Sequence, residues 1–98
     1  MARLIWSPRA ISDLDAICEY VSRNSETAAR DLARQIIALA ESIPLQPFLG
    51  PAVEEYGRDE IRERLCHNYR LIYRVRAGNV EVAAILHGAR RLPRKPPV

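Results

Sequence analysis

From Tyr69 to Arg76 the chain alternates without a break. Tyr69, Leu71, Tyr73 and Val75 fall on one side, and Arg70, Ile72, Arg74 and Arg76 on the other. Successive side chains of a strand point to opposite faces, so this segment predicts a β-strand with one apolar and one mostly cationic face. Val80 to His87, rich in β-branched residues, predicts the next strand. Ala77-Gly78-Asn79 supplies the turn between them, with the positive φ expected at Gly78 and Asn79. Arg62 and Arg64 alternate in the same way upstream, and Cys66-His67-Asn68 predicts another short turn. The stretch from Glu60 to Leu92 therefore predicts a three-stranded antiparallel meander with one arginine-loaded face.

The first half of the chain has a different period. Leu4-Ile5-Trp6 predicts a short strand. Ser7 is placed to cap a helix through its hydroxyl, and Pro8 suits the first helical position, where its missing N–H costs nothing. Ile11, Leu14, Ile17, Cys18 and Val21 then recur at helical spacing. Ser25 caps a second helix, whose stripe is Ala29, Leu32, Ala33, Ile36, Leu39, Ala40 and Ile43. The short junction near Arg23-Asn24 predicts an antiparallel helical hairpin lying on the apolar side of the sheet. Pro44 ends regular helix. Residues 44–60 form a long connection in which Phe48, Leu49 and Val53 are expected to pin parts of the loop to the core. Val53 to Tyr56 is a candidate edge strand. The tail Pro93–Val98 is proline-rich and expected to be extended or disordered.

Ninety-eight residues make one domain, assigned to residues 1–92 with a tail at 93–98. No apolar run approaches the ~20 residues of a membrane span, and the start lacks the apolar stretch of a signal peptide. Two cysteines make no disulfide framework, so a cytoplasmic setting without membrane association is expected. The net charge of +3 is unevenly spread. Residues 1–60 carry six Arg against ten Asp/Glu, a balance of −4; residues 61–98 carry eight Arg and one Lys against two Glu, a balance of +7. A basic half built almost wholly from Arg suits bidentate contact with phosphate or carboxylate, although a solvated face with ion pairs to Glu63 or Glu81 has the same composition.

Arg62, Arg64, Arg70, Arg74 and Arg90 are the candidate target- or phosphate-binding residues. His87, near the end of its strand, is the one plausible proton carrier. Tyr69 and Tyr73 belong to the core side. Cys18, Cys66 and His67 have no zinc-ligand spacing, and no glycine-rich phosphate loop is present, so neither metal nor cofactor is expected.

The segment N-Y-R-L-I-Y-R-V, followed by a hairpin and L-H-G-A-R-R-L, resembles the C-terminal half of the RelE/ParE superfamily, the toxins of bacterial type II toxin–antitoxin modules. The opening I-W-S-P-R-A-I-S-D-L-D-A-I-C-E-Y-V resembles the family's first strand and helix, and Pro47-Phe48-Leu49-Gly50 its P-x-x-G feature. The resemblance implies an α+β, two-layer fold of order β-α-α-β-β-β, with the helical hairpin packed on an antiparallel sheet and the first strand beside the last. It also implies a cognate antitoxin as partner, with operator DNA met only through that antitoxin.

Two branches differ in chemistry. In the RelE-like, ribosome-dependent mRNA endoribonucleases, the Arg matching Arg70 stabilises the scissile phosphate. Arg62 and Arg64 stand roughly where that branch places two Lys, and Arg90 matches a later Arg, but the tail Tyr is missing. As a ribonuclease, the chain would rely on Arg70, His87 and Arg90. W-S-P-x-A-x-x-D-L and H-G-A-R are closer to the ParE branch, associated with inhibition of DNA gyrase and replication by protein binding rather than by a catalytic centre. A non-toxic nucleic-acid-binding module is the remaining alternative. Arg70 and Arg90 are expected to matter more for activity than for folding.

Overall fold

The computed structural model describes residues 3–88 and 92–98. Its elements are β1 (Leu4–Trp6), α1 (Pro8–Ser22), α2 (Glu26–Ser42), β2 (Ile61–Cys66), β3 (Tyr69–Arg76) and β4 (Asn79–His87), with 3₁₀ turns at Ile43–Leu45 and Glu54–Tyr56. The sheet order is β1-β4-β3-β2. The meander is antiparallel, as its alternation predicts, and β1 joins β4 in parallel, so the sheet is mixed. The first strand does lie beside the last.

Both helices start as their capping residues dictate. Ser7 Oγ accepts from the Ala10 amide and Ser25 Oγ from the Ala28 amide, each satisfying one of the orphan N–H groups of a first turn. The hairpin covers one side of the sheet. Its Ala10, Leu32, Ile36, Ala40 and Ile43 meet Leu71, Tyr73, Val80, Val82 and Ile85 in the main core. Ala10 replaces Ile11 in the buried stripe; Ile11 is exposed.

A second, smaller core lies on the other side of the sheet, where Val53, Ile61, Ile72, Ala84 and Leu86 cluster beneath Tyr56, Leu92 and Val98. The tail is thus held against the domain rather than free of it, and Tyr56 Oη donates to the Pro93 carbonyl at 3.0 Å. The two cores depend on a bulge. Ile72 pairs with Ala84 but Tyr73 with Val82, so Ala83 is the extra residue. One inserted residue reverses the facing of everything beyond it. Val80 and Val82 therefore face the helices before the bulge and Ile85 after it, while Ala84 and Leu86 turn outward.

The turns also decide facing. Two residues, His67 and Asn68, join β2 to β3, so Cys66 pairs with Tyr69 and even positions of β2 meet odd positions of β3. Arg62 consequently lies opposite Tyr73, and Arg64 opposite Leu71, on the helix side. The expectation that they extend the face of Arg70 and Arg74 is wrong, because directly opposed residues of an antiparallel pair share a face. At the other hairpin the positive φ falls on Ala77 (51°) and Gly78 (78°), not on Asn79. Arg76 pairs with Asn79, leaving only two central residues, as in a type I′ turn. Asn79 instead ties down β1, its Oδ1 accepting from the Arg3 amide.

The long connection is fixed by its backbone. Tyr73 Oη donates to the Pro47 carbonyl at 2.6 Å. Arg62 donates to the carbonyls of Phe48, Gly50 and Asp59 and to the Asp59 carboxylate, with its guanidinium 4.6 Å from the Phe48 ring centroid. A side chain at Gly50 would put its Cβ 2.3 Å from the Glu63 carbonyl oxygen, so only glycine fits this approach. Val53 is buried as expected, but Phe48 and Leu49 point outward. Val53 to Tyr56 is not a strand: a single bridge pairs Ala52 with Arg62, and the chain then turns at once.

Candidate functional site

The outer face of β2 and β3 carries the pairs Ile61/Arg74, Glu63/Ile72 and Leu65/Arg70. Arg70 spans one strand to Glu63. Its Nε and Nη2 donate to the two carboxylate oxygens at 2.8 and 2.7 Å, and Nη1 lies 3.4 Å from Glu55. This forked geometry is the strong form of an Arg–carboxylate contact. Both side chains of the Arg70–Glu63 pair are only 15% exposed. The Glu63 hydrogen bonds, aided by Glu55, raise the Arg70 pKa and hold it firmly cationic. Glu55 is in turn pulled below the usual carboxylate range, first by its own backbone N–H and then by Arg70. Arg74 donates to Glu81 at 3.3 Å. The ion-paired reading of this face therefore describes Arg70 and Arg74 in the structure.

The other candidates are dispersed. Arg62 is occupied in clamping the long connection. Arg64 lies along the helix side of β2, its Cδ beside Gly50. His87 pairs with Tyr69, and the two rings meet edge to face at 5.5 Å, also on the helix side. Arg70 pairs with Leu86 and points the opposite way. Arg70 and His87 both border a shallow depression of about 500 Å³ at the end of the sheet, together with His67 and Asn68. His67 itself is hydrogen-bonded to Gln35. Arg90 lies outside the described residues.

A larger groove, about 720 Å³, runs between α1 and the end of β4, bordered by Arg9, Asp13, Tyr20, Tyr69 and His87 among others. It exists because β1 is short. Its pairing ends at Trp6 with Val82, leaving the rest of β4 without a neighbouring strand on that side. Ser7 Oγ donates to the Ala83 carbonyl, and Asp13 accepts from the Ile85 amide at 2.9 Å. Asp13 thus serves as a cap for a strand edge. Sequence reading missed this role, because the helical pattern alone shows only a carboxylate near an N-terminus. Among the described residues, no three His, Cys, Asp or Glu side chains gather as a metal site, and no helix is long and apolar enough to cross a membrane.

The fold and its motif-bearing strands define a class of small toxin. Residues 4–92 match the model of the ParE toxin of type II toxin–antitoxin systems, parDE, and the chain belongs to that family within the RelE/ParE superfamily. Toxin RelE2 of Caulobacter vibrioides (strain ATCC 19089 / CIP 103742 / CB 15) is 31% identical over 90 residues, covering 92% of this chain and 99% of that protein. Among solved structures, the chromosomal ParDE system from P. aeruginosa aligns with a TM-score of 0.74 at 21% identity, over 89% of this chain and 96% of that one. The YoeB dimer from Staphylococcus aureus aligns at 0.62 and 21%, over 88% and 95%. Both have the same two-layer α+β fold.

Proposed function

We propose that this type II toxin acts as a ParE-like inhibitor of DNA gyrase, arresting replication by binding a protein, and that a cognate antitoxin neutralises it. The observation that carries this reading is the state of Arg70. The guanidinium that a ribonuclease would aim at a scissile phosphate is engaged by both oxygens of Glu63. The strand register also turns the His87 side chain to the opposite face of the sheet from Arg70, so although both border the depression at the end of the sheet, they reach it from different faces. The ParE family match supports the same branch.

The antitoxin is read as an acidic amphipathic segment that folds on contact, its apolar side entering the groove beside α1 and its charge drawn by the basic half. Operator DNA is then met only through the antitoxin, in the cytoplasm. The kinship with a protein named RelE2 favours a second reading, a ribosome-dependent mRNA endoribonuclease. One pair of assays separates them. The purified chain is expected to abolish supercoiling by gyrase or trap cleaved DNA, and to leave mRNA intact on programmed ribosomes. Site-specific mRNA cleavage with gyrase untouched reverses the assignment.

A further inference from the structure

The depression at the end of the sheet is bordered by residues that suit a phosphate: Arg70, Asn68 and the two histidines, His67 and His87. Apart from the histidines, Arg70 and Glu63 are the only charged residues among the described ones that line it, and their charges cancel. A guanidinium can grip an oxyanion along either of two edges, Nε with Nη2 or Nη1 with Nη2. In Arg70 the first edge is filled by both oxygens of Glu63, and Nη1 on the second faces Glu55 at 3.4 Å. The ion-paired set of Arg70, Glu63 and Glu55 therefore carries a charge of −1, from two carboxylates on one guanidinium.

The backbone holds both carboxylates in place. Glu63 stands opposite Ile72 and Arg70 opposite Leu65, so the two are diagonal neighbours on the outer face. The two-residue turn at His67 and Asn68 sets that register, and a slip of one residue would send Glu63 to the helix side. On its other edge the Glu63 amide donates to the Pro51 carbonyl at 3.0 Å. Glu55 sits on a 3₁₀ turn pinned between Val53, fully buried, and Tyr56, which donates to the Pro93 carbonyl. A phosphate arriving from solution must break the fork and leave the largely covered Glu63 carboxylate without its partner. It must also give up its own freedom of motion, a cost that Glu63, as part of the chain, does not meet again.

We infer that Glu63, backed by Glu55, is the specificity-determining residue that closes this depression to phosphodiesters. The chain carries a site for an oxyanion and fills it with its own carboxylate, so RNA is excluded and the toxin is left to act through a protein. The inference rests on that reading of the function and names the residue responsible for it.

The probe is a fluorescent single-stranded RNA of mixed sequence, its binding followed by anisotropy. Replacing the pair by apolar residues, Arg70→Met with Glu63→Leu, keeps the net charge and is expected to leave RNA affinity unchanged. If the parent binds this RNA about tenfold more tightly than that variant, Arg70 already takes phosphate and the inference falls. Neutralising both carboxylates, Glu55→Gln with Glu63→Gln, is expected to raise RNA affinity about tenfold or more, the scale of one charge-assisted hydrogen bond. Glu26→Gln with Glu41→Gln removes the same charge from exposed positions elsewhere and is expected to give a smaller gain. Adding Arg70→Gln to the first Gln pair should return affinity to the level of this control or below. A gain no larger than the control's, or one that survives Arg70→Gln, overturns the assignment. Thermal melts show that each variant is folded, and the parent against the Met–Leu variant decides alone if the Gln pair does not fold. Gyrase inhibition is read separately. If gyrase ignores the parent while the RNA results hold, the specificity assignment stands and the gyrase reading falls; if the parent inhibits gyrase yet binds RNA through Arg70, the reverse follows.

Discussion

Arg70 shows how one residue acquires two claims on it. Exposed by strand alternation, it was expected to be dispensable for folding, yet its guanidinium is largely covered and shared between Glu63 and Glu55. Truncating it leaves the covered Glu63 carboxylate without its partner, the costly direction for an ion pair. Arg70→Ala is expected to lower stability by about 1–3 kcal/mol, and Arg70→Met with Glu63→Leu to recover most of it. A double-mutant cycle in denaturant reads the coupling; additive losses would show that the pair contributes nothing. Glu55 adds a pH dependence. Its folded pKa lies below its unfolded value, so its contribution is complete above about pH 4.3 and fades as pH falls through the lowered value. Glu55→Gln should therefore lower stability slightly at neutral pH, since half the side chain is in water, and leave it unchanged in acid below the lowered value, so that the acid limb of a stability–pH curve flattens by the same small amount.

At the scale of elements, α1 does more than cover the sheet. Because β1 pairs only three residues of β4, the helix supplies Ser7 and Asp13 to satisfy backbone groups that a longer strand would take. Asp13→Ala is expected to leave the Ile85 amide without its protein acceptor, at a cost of about 1–3 kcal/mol. Amide exchange should accelerate at Ile85 and stay slow at Val80, which donates to the Arg3 carbonyl. Equal acceleration at both would point to global loosening instead. Sequence periodicity placed α1 correctly but not this contact, since a hydrogen bond spanning 72 residues leaves no local pattern.

At the scale of the molecule, the sheet is covered on both sides, by the helical hairpin and by the long connection with the tail. Beyond Leu92, which packs on the second core, the tail adds Val98 to it, and its Pro93 carbonyl accepts from Tyr56. Removing residues 93–98 is expected to expose Ile72, Ala84 and Leu86 and lower stability by roughly 1–3 kcal/mol, the scale of uncovering one apolar side chain. A thermal melt of the truncated chain beside the parent measures this. An unchanged melt would mean that the tail rests on the domain without stabilising it.

The parallel pairing of β1 with β4, in a sheet expected to be antiparallel, was not legible in the chain itself; the helices, the meander and the family were. Each follows from local period, capping residues or contiguous motifs, in which neighbours in sequence are neighbours in space. The facing of the arginines was not. Alternation along β3 correctly separated Arg70 from Tyr73, but the two-residue turn put Arg62 and Arg64 on the helix side, and the Ala83 bulge reversed the end of β4. Register parity and bulges are properties of a pair of strands, set by how two segments pack rather than by either one alone. For the same reason only the tertiary structure decided that Arg70 meets Glu63, that Arg62 clamps a loop, and that Phe48 and Leu49 face water.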